Sequence, residues 1–282
     1  MPPEELSNPI NGNKMIDIHS HILPGMDDGA HSRDEALEML RIAERDGIEK
    51  IVATPHLFRG EFEGKDQEAR PREMKALNRH LKAAGIQIEL FSGAEVHISH
   101  DLLSKVQAHR KQLVINGTSY MIVEFPSEHI FPGIKDLFFE IMNEGIIPII
   151  AHPERNSVFT HKPQLLVELI QMGSLAQANR GSFLGLYGNR PKEFVFKFLQ
   201  WNLVHFIGSD AHNVRSLIPR LSDALKLAAD RIGEKSALAL VTSNPLAVLN
   251  DEEIPYHPEP VSPVDNKKSL KIKLPRFRRS PK

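Results

Sequence analysis

Seven apolar runs of strand length recur along the chain, and each ends in a polar cluster. They begin at Met15, Lys50, Ile88, Tyr120, Ile146, Leu175 and Val204, and they end at His21, His56, Glu95, Glu124, His152, Asn179 and His212. Between them lie segments with the 3.6-residue periodicity of amphipathic helices. Ser32-Arg-Asp-Glu35 reads as a capping box opening a helix to about Asp46, stopped by Gly47. Further helices are predicted from Asp66 to Ala84, Ile134 to Glu144, Pro163 to Met172, Pro191 to Trp201 and Leu217 to Arg231. Glycines at 85, 145 and 173 separate three of these from the next strand, the loop chemistry of repeated αβ units. Strands alternating with helices predict a parallel sheet, and about seven of them favour a closed, somewhat irregular barrel over an open sheet.

Composition narrows the chemistry more than the fold. The 282 residues, 41% of them hydrophobic, suffice for one large core in a single domain. The net charge of -1 gives no global field for nucleic acid. With no cysteine, thiolate metal sites, iron–sulfur clusters and cysteine-nucleophile mechanisms are excluded, and a reducing compartment fits. No run reaches the length of a membrane span, and residues 1–14 lack the apolar stretch of a signal peptide, so a cytoplasmic location is expected. Those 14 residues are expected to be flexible, with the working domain over 15–250. From Asp251 onward the chain becomes proline-containing and, from Asn266 to Lys282, carries eight Lys or Arg and no acid. A solvated, disordered tail is the simple expectation, and electrostatic contact with anionic lipid or an acidic partner the sharper one.

Six of the seven strand ends carry metal-ligand residue types. Asp17, His19 and His21 alternate on one strand, with Asp17 expected to orient a ligand histidine through its free N–H. Asp28 follows closely in Asp27-Asp28-Gly29, and His56, Glu95, Glu124, His152, Asp210 and His212 complete the set. Each has a bland reading alone: a loop histidine, or a carboxylate paired with Lys or Arg. Their recurrence at one end of successive buried strands is where a barrel places its reactive groups. Nine such ligands could supply two or three metals. Mixed imidazole–carboxylate donors suit manganese, iron or zinc rather than dedicated calcium or magnesium cages. Such a centre polarises a phosphoryl oxygen and activates water near neutral pH, so phosphate esters are the natural substrates. Arg155 and Arg215, each three residues after a candidate histidine, are candidates to bind phosphoryl oxygens. The strand ending at Asn179 lacks a ligand type, and Gln177 and Asn179 are expected to form a polar wall.

In order and spacing, Asp17-Ile-His-Ser-His21, Asp27-Asp28-Gly29, Thr54-Pro-His56, Gly93-Ala-Glu95, Ile122-Val-Glu-Phe125, Ala151-His-Pro-Glu-Arg155 and Ser209-Asp-Ala-His-Asn213 resemble the PHP-domain phosphatases. More narrowly, they resemble the manganese-dependent protein-tyrosine phosphatases of bacterial capsule and exopolysaccharide loci. The resemblance implies a distorted TIM-like (β/α)7 barrel with a trinuclear Mn2+ centre. It would place His19, His21, Glu95 and Asp210 on one metal, with Glu95 bridging to a second held by Glu124 and His152. Asp28, His56 and His212 would hold the third. It implies phosphotyrosine hydrolysis by metal-activated hydroxide, with a tyrosine kinase of polysaccharide synthesis as substrate. One departure is Leu57, where members often carry a second histidine. The alternatives are another PHP phosphoesterase, such as a histidinol-phosphate phosphatase or a phosphodiesterase, or a non-catalytic regulator of the kinase.

Overall fold

The computed structural model describes residues 14–60 and 69–261. The basic tail, the first 13 residues and the first turn of the helix predicted from Asp66 lie outside the described residues. Nine strands appear among the described residues: β1 Met15–Ser20, β2 Ile48–Ala53, β3 His56–Leu57, β4 Glu89–Ser92, β5 Glu95–His97, β6 Tyr120–Glu124, β7 Ile147–Ala151, β8 Leu175–Asn179 and β9 Phe206–Gly208. They are the seven expected runs, two of them broken. Pro55, which has no N–H to donate to a ladder, separates β2 from β3. Gly93-Ala94 separates β4 from β5. Each break falls just before a candidate ligand, His56 or Glu95, which then sit opposite one another in register.

All pairings are parallel, in the orders β1-β2-β4 and β3-β5-β6-β7-β8-β9. The wall is therefore not one continuous ladder. The last strand meets the first through a single bridge, Ser20 to Ala211, reinforced by Asp210 N donating to His19 O at 2.9 Å and His21 N to Ala211 O at 2.8 Å. This seam joins the two richest ligand segments.

Period-two alternation divides the core. On β6, Met121 and Val123 face the helices, whereas Tyr120 and Ile122 join Ile149, Leu175, Phe206 and Val248 in a separate apolar group. Glu124 follows Ile122 at the same parity, at the strand's C-terminal end.

The helices follow the predicted stretches with one shift and several additions. Arg33–Arg45 is capped by Ser32, whose Oγ accepts from Glu35 N at 3.2 Å. The helix expected from Leu217 begins instead at Ser222. There Asp46, from the far end of the first helix, accepts from the backbone N of Leu221 at 2.7 Å and of Ser222 at 3.0 Å. A cap supplied 175 residues away carries no local signature. Leu102–Leu113 is a helix that the periodicity did not predict, because its apolar face is interrupted at His109, where φ is -133°. None of the described helices is long and apolar enough to cross a membrane.

One buried histidine lies at the opposite, N-terminal end of a strand, just before β9. His205 Nδ1 accepts from Ala176 N at 3.1 Å, while its Nε2 is buried without a hydrogen-bond partner. Burial, aided by neighbouring His257, pushes its pKa down to about 3 from 6.5. Between those values the unfolded chain binds the extra proton, so folding stability falls as pH drops below about 6.5. In His205→Asn, whose side-chain oxygen can still accept from Ala176, urea midpoints should fall less between pH 7 and pH 4.5 than in wild type. Parallel midpoint-versus-pH curves would rule this residue out as the source.

Candidate metal centre

The geometry begins at β1. His19 Nδ1 lies 2.8 Å from Gln177 Oε1, and His21 Nδ1 lies 2.7 Å from Asp27 Oδ2. Gln177 Nε2 donates to Ala178 O at 2.6 Å, which fixes the amide's orientation. Both partners of the imidazoles thus only accept, so each Nδ1 carries a proton. The two Nε2 atoms then face one another at 3.3 Å. Neutral imidazoles would oppose two lone pairs here, and a shared positive charge removes the conflict. Glu95 and Asp210 close the group, with Nε2-to-oxygen distances of 3.3 to 3.5 Å.

All four of these side chains are buried. Burial opposes charging of the imidazoles, yet the Glu95 and Asp210 carboxylates outweigh it and push His19 up to about 9. His21 is likewise driven well upward, burial being overcome chiefly by Asp27. Glu95 and Asp210 are held well below the carboxylate range, the cost of burial being exceeded first by His19. Without a cation, imidazolium protons neutralise the carboxylates. A divalent cation supplies the same charge from four donors lying within 4.8 Å of one another. Buried Glu95 Oε2 has His56 Nδ1 at 2.9 Å and His21 Nε2 at 3.3 Å but no well-aligned hydrogen bond, as suits an oxygen placed among other metal-ligand atoms. The donor set fits a bound metal ion.

Two further groups adjoin the first. His56, Glu95 and Glu124 form one, and His21, Asp28, His56 and His212 the other. His56 stands between them: Nδ1 is 2.9 Å from Glu95 and 3.7 Å from Glu124, while Nε2 is 3.4 Å from Asp28. His212 Nε2 is also 3.4 Å from Asp28. His152 Nε2 reaches Glu95 Oε1 at 2.9 Å. All nine expected ligand residues are thus brought together. Three things differ from the expected arrangement: His56 shares its two nitrogens between groups, His21 belongs to both the first and the third, and His152 lies in none of the three, reaching Glu95 instead.

Local backbone strain aims two of these side chains. His152 and Asp210 occupy the left-handed region, with φ of 33° and 49°, just beyond the C-terminal ends of β7 and β9. Such conformations persist only where the surroundings impose them. Here His152 N donates to Gln177 O at 2.8 Å and Asp210 N to His19 O at 2.9 Å. Gly208 makes room for the network: a Cβ there would lie 2.7 Å from Gln177 Nε2 and 2.9 Å from His19 Cβ.

Above these groups lies a cavity of about 150 Å3. Arg155 reaches it, its Nη1 donating to Asp210 Oδ2 at 2.7 Å. Asn179 Nδ2 donates to the same oxygen at 2.5 Å, but neither Asn179 nor Gln177 lines the cavity: both are fully buried and hold Asp210 and His19 instead of forming the expected polar wall. Arg215 is exposed and is not among the residues lining the cavity. Asn213 Oδ1 accepts from the backbone N of Arg215 and Ser216, both at 2.9 Å, in a turn that carries the arginine away. Asp17 also differs from expectation. Its Oδ1 accepts from the backbone N of His19 at 3.2 Å and of Ser209 at 3.1 Å, tying the seam and leaving the imidazoles to Gln177 and Asp27.

Four residues were not singled out from the sequence for a role at this site. Asp27 stood beside Asp28 with nothing to distinguish them. Arg59 Nη1 lies 2.5 Å from His56 Nε2, and His97 Nδ1 lies 3.1 Å from Glu124. Tyr187 lines the cavity, with Arg155 4.2 Å above its ring, and burial pushes its phenol up to about 12. No periodicity marks these positions: Asp27, Arg59 and Tyr187 act from loops, and His97 acts through its register with Glu124 on the neighbouring strand.

A parallel α/β protein with imidazole–carboxylate groups at the C-terminal ends of its strands belongs to the class of barrel-like proteins built to hold metals at that face. Within that class, the chain belongs to the capsular polysaccharide synthesis CpsB/CapC family, whose model matches residues 15–250. It is 37% identical over 248 residues to the tyrosine-protein phosphatase YwqE of Bacillus subtilis, covering 88% of this chain and 96% of YwqE. It is 31% identical to the tyrosine-protein phosphatase CpsB of Streptococcus pneumoniae, covering 85% of this chain and all of CpsB. A crystal structure from work on YwqE and CpsB as metal-dependent tyrosine phosphatases superposes with a TM-score of 0.82 at 36% identity, covering 88% of this chain and 100% of that one.

The orienting partners are open to direct measurement. Gln177→Ala and Asp27→Ala should each weaken metal binding by about 10- to 100-fold. Competition with a chromogenic chelator, beside a thermal melt of the metal-free protein, separates this from unfolding. Unchanged affinity in both variants would mean that the imidazoles need no such support.

Proposed function

We propose that this protein is a metal-dependent protein-tyrosine phosphatase acting on a phosphotyrosine-bearing tyrosine kinase of capsule or exopolysaccharide synthesis. The observation that carries the reading is nine ligand-type side chains gathered below one small cavity with Arg155 at its wall. The names of YwqE and CpsB support it. Such a substrate places the protein's action in the cytoplasm.

Three manganese ions are the proposed complement. His19, His21, Glu95 and Asp210 would hold one, Glu124 and His152 with Glu95 the second, and Asp28, His56 and His212 the third. The two-sided placement of His56 supports sharing between neighbouring ions. When bound, such ions polarise phosphoryl oxygens and lower the pKa of water at the site.

The chain's own residues do the rest. Arg155 keeps one donor on Asp210, leaving the others of its planar fork for phosphoryl oxygens. Asn179, on the same Asp210 oxygen, holds that carboxylate in place. Gln177 and Asp27 hold the imidazoles so that Nε2 points inward. A tyrosyl phenolate, with a pKa of about 10, leaves more readily than an alkoxide, which relaxes the demand for a dedicated acid.

The test is metal analysis of purified protein together with rates on phosphotyrosine and phosphoserine peptides and on histidinol phosphate. Manganese with a preference for phosphotyrosine is expected, and chelation should abolish turnover. Asp210→Ala and His152→Ala should each lower kcat/KM by about a hundredfold or more. Arg155→Met should lower it by about ten- to a hundredfold with metal content unchanged. Undiminished hydrolysis by the Asp210 variant would overturn the reading, and preference for histidinol phosphate would move the protein to another branch of the superfamily.

A further inference from the structure

Almost every described residue lining the cavity is a carboxylate, an imidazole or a guanidinium; Leu217 and the ring of Tyr187 are the exceptions. Tyr187 occupies the loop Gly185-Leu-Tyr-Gly188, whose glycines take φ of 79° and 93°. That loop is tied to the short helix Arg180–Leu184 before it, which is itself anchored. Leu186 N donates to Gly181 O at 2.9 Å, and the buried Glu154 carboxylate accepts from Asn179 N at 2.9 Å and Ser182 Oγ at 2.6 Å. Arg180 pairs with Asp223 at 2.7 Å.

The ring is clamped between two neighbours. A Cβ on Gly181 would lie 2.5 Å from the Tyr187 ring, so only glycine leaves it space. The Arg155 guanidinium lies 4.2 Å from the ring centroid, within cation–π range. Asp210 holds one edge of that guanidinium at 2.7 Å. An otherwise mobile arginine is thereby fixed by a ring and a carboxylate, and its remaining donors stay available.

Cavity size decides where a substrate's ring must go. At about 150 Å3 the cavity is well below the roughly 300–1,000 Å3 of pockets that engulf whole small ligands. It has room for a phosphoryl group, so an attached aryl ring meets the rim.

We propose that Tyr187 is a positioning and specificity-determining residue of this site: its ring sets the Arg155 guanidinium for the phosphoryl group and, with Leu217, supplies the apolar contact that favours aryl over alkyl phosphate esters. This rests on the phosphotyrosine reading above. A phosphoserine side chain has no ring to meet that contact, so loss of Tyr187 penalises the aryl substrate more.

The experiment compares wild type, Tyr187→Phe, Tyr187→Leu and Tyr187→Ala as full-length manganese-loaded protein on matched phosphotyrosine and phosphoserine peptides. Metal content and melting temperature are measured alongside. Tyr187→Phe should retain kcat/KM within about threefold, because the ring carries the role. Tyr187→Leu and Tyr187→Ala should lower kcat/KM on phosphotyrosine by about tenfold or more, mainly through KM, and shrink the phosphotyrosine-to-phosphoserine ratio. In an Arg155→Met background the same substitutions should cost markedly less, since part of their effect passes through Arg155. An unchanged ratio in Tyr187→Ala, or full additivity with Arg155→Met, overturns the inference while leaving the phosphatase reading intact. Wild-type protein inactive on phosphotyrosine removes both.

Discussion

Two carboxylates, Glu95 and Asp210, are buried at the meeting point of β5, β9 and β1, and a buried negative charge must be matched. Much of the architecture around them answers that constraint. His19 and His21 approach them from β1, His152 from beyond β7, and Arg155 takes the outer oxygen of Asp210. Imidazolium protons can carry the matching positive charge, and the clustered donor atoms could instead hold a metal ion. An apolar filling of the same space would fold more cheaply, so the arrangement has a chemical rather than a stabilising purpose.

Holding such a cluster requires a second layer that does no chemistry. Gln177 and Asp27 decide which nitrogen of each histidine faces inward. Asp17 joins the first and last strands by accepting from backbone N–H groups on both sides of the seam. Burial pushes Asp17 up to about 6, its backbone donors pulling the other way. Left-handed φ at His152 and Asp210 is tolerated because the strand ends pin both flanks. Strain therefore collects where ligands are aimed and is absorbed by the sheet beneath.

Membership of the CpsB/CapC family agrees with this picture at the level of the backbone. The match spans 15–250, which contains all nine ligand-type residues and the loop of Tyr187. Arg155 and Arg215, each three residues after a candidate histidine, separate sharply in space. One is stapled to Asp210 and the other follows an Asn213 turn outward. Linear spacing could not distinguish them, because the turn depends on a single amide side chain.

Periodicity by itself determined the alternation of strands and helices, the parallel sheet and the strand-end location of the nine ligands. These are local consequences of where apolar residues must be buried, and period-two and 3.6-residue patterns report them directly. Only the tertiary structure decided that the wall breaks at Pro55 and Gly93 and that the helix expected from Leu217 starts at Ser222, capped by Asp46. It alone placed His56 between two groups, gave the imidazoles to Gln177 and Asp27, and set Tyr187 under Arg155. Each of these is a contact between residues remote in sequence or held by loop conformation, and neither leaves a period in the chain.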